Sequence, residues 1–397
     1  MSLQDLAEKF EQYVVDIING NRRTGFARYF RYFLFGLSRL YANVVKLRYN
    51  LYSWGIFRQH LMGCFVVSVG NLTTGGTGKT PVVELLARTL TKRGKRVAIL
   101  SRGYRSKKPP LSHRIKSIFS GNPEIVPPRV VSDGTKVLLD SSVSGDEPYM
   151  LARNLVGTPE HPGAVVVVDK DRIKGGNYAT ATFGVDTIIL DDGFQYLRLR
   201  PWTNILLVDS TNPFHNHEQL PAGMLREPIE SLERADFIFL TKSDGRSSLH
   251  HLRRFLRRHN PQAEIIECNH VPKYLQALDN DQLQLPLSSL QGKKVASLSA
   301  IAVPASFERY LEQLGATIVY RKHFADHHRY HKNELVKFTK EARKAGAEMI
   351  LTTEKDAVRI PKLPKNFLPA YFLRVEITIL RGKEEFNRCV AQICLGG

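Results

Sequence analysis

With 397 residues, 43% of them apolar, the chain can bury a large core, and its length predicts two or three domains. A net charge of +19 points to anionic partners: nucleic acid, phospholipid headgroups or a phosphorylated substrate. The four cysteines (Cys64, Cys268, Cys389 and Cys394) make no disulfide framework, and no uncharged apolar run approaches the ~18–20 residues of a membrane span, so a reducing, cytoplasmic setting is expected.

Residues 1–16 carry acids inside an amphipathic pattern and lack a signal-peptide layout. Between Asp16 and Glu84 there is no acidic residue, whereas Arg22, Arg23, Arg28, Arg31, Arg39, Lys46, Arg48 and Arg58 all fall there. On a helical wheel of residues 26–47, Phe26, Phe30, Phe33, Leu37, Leu40, Tyr41 and Val44 gather in an arc of roughly 100°. Arg28, Arg31, Arg39 and Lys46 gather opposite. Aromatic bulk facing a purely basic face suits an in-plane helix on an anionic membrane. The alternatives are a helix packed on the core with a solvated basic face, or a nucleic-acid contact. Base-stacking and groove-reading motifs are absent, so no nucleic-acid partner is expected.

Val66–Val69 is a β-branched run, followed by Gly70-Asn71-Leu72-Thr73-Thr74-Gly75-Gly76-Thr77-Gly78-Lys79-Thr80-Pro81 and then the apolar-periodic Val82–Leu90. Strand, glycine-rich turn and helix in that order form a phosphate-binding loop, whose backbone N–H groups and helix N-terminus face a polyphosphate. Lys79 can reach the β- and γ-phosphates, and the Thr80 hydroxyl can sit on Mg²⁺. The loop is a variant, because Thr73 stands where the strict spacing has glycine. The alternative is a glycine-rich turn capping an ordinary helix.

Arg96–Leu100 predicts a second strand ending in Ser101-Arg102-Gly103-Tyr104, and Ser106–Pro128 reads as a surface insertion. Asp146 in Gly145-Asp146-Glu147-Pro148 is either a helix N-cap or a carboxylate held at a strand-to-helix junction, where such sheets place ligands. Val165–Val168 ends in Asp169, and Thr187–Leu190 ends in Asp191-Asp192-Gly193-Phe194-Gln195. Adjacent acids after an apolar strand, downstream of a phosphate loop, are the expected Mg²⁺ partners of Thr80; an Asx turn closed by Gly193 is the alternative.

Asn204–Val208 and Asp236–Leu240 predict further strands, with Leu220-Pro221-Ala222-Gly223-Met224-Leu225-Arg226-Glu227-Pro228 between them. Thr241-Lys242-Ser243-Asp244 is similar to a guanine-reading corner, although Leu190 occupies the position where a GTPase-type aspartate is needed. Asp279–Gln291 reads as a linker, and Lys294–Leu298 with the helix Ala305–Leu314 opens a second α/β unit. The loop His323-Phe324-Ala325-Asp326-His327-His328-Arg329-Tyr330-His331 admits a metal site, a catalytic imidazole or plain surface polarity. Thr352-Thr353-Glu354-Lys355-Asp356 marks one more strand-to-loop junction, and a strand and short helix follow Tyr371.

Seven of these segments together resemble the tetraacyldisaccharide 4′-kinase family, the lipid A 4′-kinases of Gram-negative bacteria. They are Gly70–Pro81, Ser101–Tyr104, Gly145–Pro148, Asp191–Gln195, Leu220–Pro228, Asp326–His328 and Thr353-Glu354-Lys355-Asp356-Ala357, in order over residues 26–360. The resemblance implies transfer of the ATP γ-phosphate to the 4′-hydroxyl of a tetraacylated diglucosamine 1-phosphate, at the cytoplasmic face of the inner membrane. It implies that Thr73, Thr74, Gly75, Gly76, Thr77, Gly78, Lys79 and Thr80 hold ATP, and that Asp192, helped by Asp191, binds Mg²⁺. Asp146 would be the general base, His327 its partner, and Arg226 a counter to phosphate charge. The expected fold is α/β: residues 1–63 carry the N-terminal extension and amphipathic helix, and 64–278 form a P-loop-type three-layer core. Residues 279–397 form a second, smaller lobe that completes the site, in a peripheral protein expected to be a monomer. The chain departs from the family pattern at Tyr196, at Met224 and at Ala300-Ile301-Ala302-Val303. The other reading, a membrane-associated switch ATPase of the partitioning type, lacks its lysine at Thr74.

Overall fold

The computed structural model describes residues 14, 16–18, 25–103, 127–245, 249–363 and 366–396. Tyr104 and most of the 106–128 insertion lie outside them, as do most of residues 1–24. Helix α1 (Phe26–Ser53) leads to β1 (Phe65–Asn71), α2 (Lys79–Lys92), β2 (Val97–Ser101) and β3 (Arg129–Asp133). Next come α3 (Ser141–Ser144), α4 (Asp146–Leu155), β4 (Val165–Val168), α5 (Arg172–Phe183) and β5 (Thr187–Asp191). Strands β6 (Thr203–Asp209) and β7 (Phe237–Thr241), helix α6 (His250–His259), and strands β8 (Glu264–Ala277), β9 (Gln284–Pro286) and β10 (Lys294–Ser299) follow. The chain ends with α7 (Pro304–Gln313), β11 (Thr317–His323), α8 (Lys332–Lys344), β12 (Met349–Thr353), α9 (Glu354–Ala357), β13 (Ala370–Arg381) and α10 (Lys383–Leu395).

These elements form two compact units. The first takes residues Met1–Val83, Val185–Asn269 and Ile379–Gly397; the second takes Glu84–Gly184 and His270–Thr378. In the first unit a parallel sheet runs β8-β7-β6-β1-β5. Every residue of β1, β5 and β7 is buried, as expected of unbroken apolar runs in a sheet covered on both faces. Val69 pairs with Asp191 and Asp209 with Thr241, so the strand ends carrying Asn71, Asp191, Asp209 and Thr241 emerge at one carboxyl edge. Open α/β sheets bind ligands at that edge.

Helix α1, longer than the predicted 26–47, packs on this unit through a narrow stripe. Ala27, Leu34 and Ser38 are buried, the first two in a cluster with Ile17 and Ala222. Side chains of α1 donate to backbone carbonyls outside the helix: Ser38 to Gln219 (2.8 Å), Tyr41 to Arg226 (2.9 Å) and Arg48 to Gln195 (3.2 Å). Most of the apolar arc faces outward instead: Phe26 is 72% exposed, and Phe33, Leu37, Leu40 and Val44 are exposed with it, whereas Phe30 packs partly against the cluster. Among the described residues no helix is long and apolar enough to cross a membrane.

In the second unit β2-β4-β3 form one run, with β3 antiparallel, and β11-β10-β12-β13 form a parallel one. The expected linker at 279–291 is instead built into the core. Strand β9 pairs antiparallel with Tyr274–Gln276 of β8, Leu290 is fully buried, and Leu285 and Leu287 pack beside it. Three leucines in six residues make this segment a sheet edge with a buried side. Arg374 bridges Glu84 and Glu354, and Asn154 donates to both carboxylates (3.1 and 2.6 Å), so the buried charges are paired.

Candidate active site

The phosphate loop leaves β1 at Asn71, whose side-chain amide donates to the Thr73 carbonyl (2.8 Å) and thereby tightens the first turn. Gly75 and Gly78 have φ of 110° and 80°, where a side chain is strained, so the loop's curvature depends on glycine at both positions. The Leu220–Pro228 run lines the loop. Thr74 N donates to Met224 O (2.7 Å), Arg226 N donates to Leu72 O (2.7 Å), and Thr73 bridges Leu225. On its other side, Thr241 Oγ1 donates to Thr77 O (2.8 Å). Lys242, in the segment similar to a guanine-reading corner, has its ammonium on Asp209 (2.5 Å).

Lys79 opens α2 and donates to Asn71 Oδ1 (3.2 Å), with Asp192 Oδ1 at 3.5 Å. Arg226 donates to both Asp192 oxygens, at 3.0 and 2.8 Å. Asp192 sits just past β5 with φ of 54°, which turns its carboxylate back toward the loop. Burial alone pushes this carboxyl up, but Lys79 and Arg226 outweigh it and hold the group below the usual carboxylate range. Lys79, Asp192 and Arg226 thus meet beside the phosphate loop, with Asp191 and Thr80 buried nearby in sequence. Two carboxylates and a hydroxyl are the oxygen donors a hard cation takes, and an ionised Asp192 fits Mg²⁺. Among the described residues no group of three or more His, Cys, Asp or Glu could hold a metal by itself. Cys268 is a buried free thiol, pushed up to about 12 by burial.

The second unit carries the other cluster. Gly145 caps α4 with φ of 94°, and Asp146 is the first helical residue; the reading of Asp146 as N-cap is therefore set aside. Its carboxylate accepts from Arg359 Nε (2.8 Å) and Arg329 (3.1 Å), and His327 Nδ1 lies 3.4 Å away. Burial pushes the carboxyl up; the His327 imidazole and the two guanidinium groups outweigh this and hold it below the usual carboxylate range.

The histidine-dense loop divides its labour. His323 pairs with Glu308 (2.7 Å), while His328 pairs with Glu334 (2.9 Å) and stacks on Phe324 at 4.5 Å. His327, with φ of 64°, is the loop imidazole recorded against Asp146. The departure at 300–303 is accommodated because Ala300 contributes backbone. Its N–H donates to Asp356 (3.1 Å), and its carbonyl accepts from His327 N (3.2 Å) and Arg359 (3.1 Å).

The structure therefore groups Lys79, Asp192 and Arg226 around the loop in one unit, and Asp146 with His327 in the other. Sequence reasoning missed Asn71, Arg329 and Arg359. Asn71 and Arg329 stand inside segments already singled out, and Arg359 follows two residues after Ala357; only tertiary contacts distinguish them from neighbouring polar residues.

Comparison with known proteins bears on the family and the fold. Residues 30–394 match the family model of tetraacyldisaccharide-1-P 4′-kinase. The tetraacyldisaccharide 4′-kinase of Syntrophus aciditrophicus is 37% identical over 371 residues, covering 91% of this chain and 92% of that protein. That of Halothermothrix orenii is 33% identical over 390 residues, covering 94% and 96%. The crystal structure of "apo" form LpxK from Aquifex aeolicus in complex with ATP superposes with a TM-score of 0.68 at 27% identity, covering 92% of this chain and 99% of that one. On the strength of that full-length match, the chain belongs to the tetraacyldisaccharide 4′-kinase family.

Proposed function

We propose that the chain transfers the γ-phosphoryl group of ATP to the 4′-hydroxyl of a tetraacylated disaccharide 1-phosphate, the lipid A step for which its family is named. The observation that carries this reading is the cluster of Lys79, Asp192 and Arg226 beside the phosphate loop. It supplies two cations and one ionised carboxylate at the carboxyl edge of a parallel sheet.

Phosphoryl transfer asks a protein for positioning and for charge that offsets the γ-phosphate. The backbone of Thr73–Thr80 and the helix N-terminus hold the phosphate chain, and Lys79 and Arg226 turn from Asp192 to the phosphates. Asp192, Asp191 and Thr80 would hold Mg²⁺, which would supply positive charge against the phosphates. Asp146 accepts the proton of the acceptor hydroxyl as the new P–O bond forms and the bond to ADP breaks; His327 supports it. A carboxylate held below its usual range is a weak base. That is tolerable here, because in a loose transition state the proton leaves late.

Helix α1 gives the chain its route to a substrate with four acyl chains. Its apolar row faces outward while basic residues gather on the opposite side of the wheel, which supports peripheral binding to an anionic membrane, at the cytoplasmic face of the inner membrane. We assign the working form as a monomer. The experiment that tests the activity incubates the protein with ATP, Mg²⁺ and purified disaccharide 1-phosphate and follows the product by mass spectrometry. One added phosphate at the 4′ position is expected; ATP hydrolysis that ignores the disaccharide would overturn the reading.

A further inference from the structure

A tryptophan in the open is an exception, because its large and mostly apolar ring is ordinarily covered when a chain folds. This chain has two, and both are exposed, Trp54 at 66% and Trp202 at 60%. Trp202 has one face laid on Phe65, with 6.1 Å between ring centroids. Trp54 directly follows α1 and opens the turn Trp54-Gly55-Ile56-Phe57. Every residue from Ser53 to Leu61 is exposed, and Ile56, Phe57 and Leu61 are the large apolar ones that follow Trp54. Surface turns ordinarily carry polar residues instead. The turn is nonetheless well built. Trp54 N donates to Asn50 O (2.8 Å), Gly55 N to Tyr52 O (3.1 Å) and Phe57 N to Leu51 O (2.9 Å), with Gly55 at φ of 74° reversing the chain. Past the turn, Gln59 Nε2 donates to Leu197 O (3.0 Å), His60 N donates to Arg198 O (2.7 Å), and Arg200 N donates back to His60 O (3.0 Å). The backbone is fixed from both sides, and it holds apolar side chains out into solvent.

Position and charge say what covers this turn. Stepping back from Trp54 by sevens gives Leu47, Leu40, Phe33 and Phe26, all exposed. A seven-residue step drifts by only about 20° on a straight helix, so Trp54 ends the outward row that α1 carries. No acidic residue lies between Asp16 and Glu84, and Arg58 stands inside the exposed stretch beside Ile56 and Phe57. A second copy of the chain would set two acid-free surfaces against each other, whereas anionic headgroups complement them. Indole joins an apolar body to one N–H donor, the combination that settles at headgroup level. We propose that Trp54–Phe57 is an interfacial anchor for an anionic phospholipid bilayer: the Trp54 ring lies at the headgroup boundary, Ile56 and Phe57 enter the upper acyl region, and Arg58 meets lipid phosphates. This anchor builds on the reading of α1 as a membrane-surface helix and adds a second point of attachment, about 42 Å from Phe26 by helical rise. Attachment at both ends keeps the helix flat on the surface and stops the unit from pivoting about Phe26, so that it meets the bilayer in one orientation.

Trp202→Phe leaves Trp54 as the sole tryptophan of the full-length chain, so its fluorescence reports on this turn alone. With vesicles of phosphatidylethanolamine and phosphatidylglycerol, the emission should move to shorter wavelength, and lipids brominated near the headgroup should quench it. Trp54→Ser combined with Ile56→Ser should weaken flotation with the same vesicles by at least about tenfold. The same double variant should keep its melting temperature and hold kcat on detergent-dispersed substrate within about twofold, as surface changes away from a site do. Flotation with Trp54 emission neither shifted nor quenched would overturn the anchor and leave the reading of α1 intact. Conversely, if the chain with serine at positions 33, 40 and 44 floats as before and Trp54 is still quenched, the anchor stands and the role of the helix row falls. A chain that does not float at all overturns both. A concentration-dependent dimer that forms without lipid and is abolished by Trp54→Ser would make a second copy the occupant, and the lipid assignment would fall.

Discussion

Asp192 and Asp146 are each held by an arginine, and the surroundings of the two grips differ sharply. Arg226 is 26% exposed and Asp192 38%, whereas Arg359 is 1% exposed and Asp146 13%. A solvent-facing ion pair contributes roughly 0–1 kcal/mol, so incoming phosphate can draw Arg226 and Lys79 off Asp192 at little cost. Parting a buried pair costs roughly 3–5 kcal/mol, so Arg359 stays on Asp146 throughout. In the proposed scheme one aspartate is held in reserve by cations the nucleotide would claim. The other is fixed for good.

The severest test of that contrast is Asp146→Asn. It should lower kcat by about 10²–10⁴-fold and leave the KM for ATP nearly unchanged. Equal losses in both parameters would show that Asp146 only supports the fold. Arg226→Ala should cost roughly 100-fold in kcat, as expected for a lost cation at developing phosphate charge, and also free Asp192. A retained rate would mean that Arg226 never leaves its aspartate.

Replacing Phe33, Leu40 and Val44 together with serine should weaken flotation with anionic vesicles by at least about tenfold, since each large apolar side chain contributes up to about 1.5–3 kcal/mol when buried. Activity on detergent-dispersed substrate should hold within about twofold, and unchanged flotation would remove lipid from the account of that face. Tyr41→Phe deletes the hydrogen bond to the Arg226 carbonyl, a loss of about 0.5–1.5 kcal/mol, and should show as a few-fold drop in kcat.

The smallest effect is on acid stability. The native Asp146 carboxyl lies below its unfolded value, so its stabilisation is complete above about pH 4 and drains away as pH falls through the lower native value. Denaturant titrations from pH 6 down to pH 2 should show that decline in the wild type and a shallower one in Asp146→Asn.

How much of this was legible beforehand depended on whether the signal was local. The passage from β1 through the glycine loop into α2 was readable because an unbroken β-branched run, positive-φ glycines and a periodic helix follow one another. Helix α1 was readable as amphipathic with its greasy arc turned outward, but not the stripe by which it packs. The wheel shows a greasy arc, whereas the residues that packing buries are Ala27, Leu34 and Ser38, the first two in a cluster with Ala222. The long strand β8 escaped notice because Pro272 interrupts it in sequence, and proline ordinarily demotes a strand. Arg359 gave no local sign, since its importance comes from partners 32 and 213 residues away.

The three hydrogen bonds from Ser38, Tyr41 and Arg48 bear on how soluble versions of this enzyme should be engineered. Trimming away the greasy N-terminal helix is the obvious way to ease purification, yet it would also pull three props from beneath the loops that carry Arg226 and Gln195. An inactive truncation would then be mistaken for proof that lipid contact is essential. Repainting the outer face with polar side chains, leaving the inner one untouched, keeps the scaffold and isolates the contribution of the bilayer.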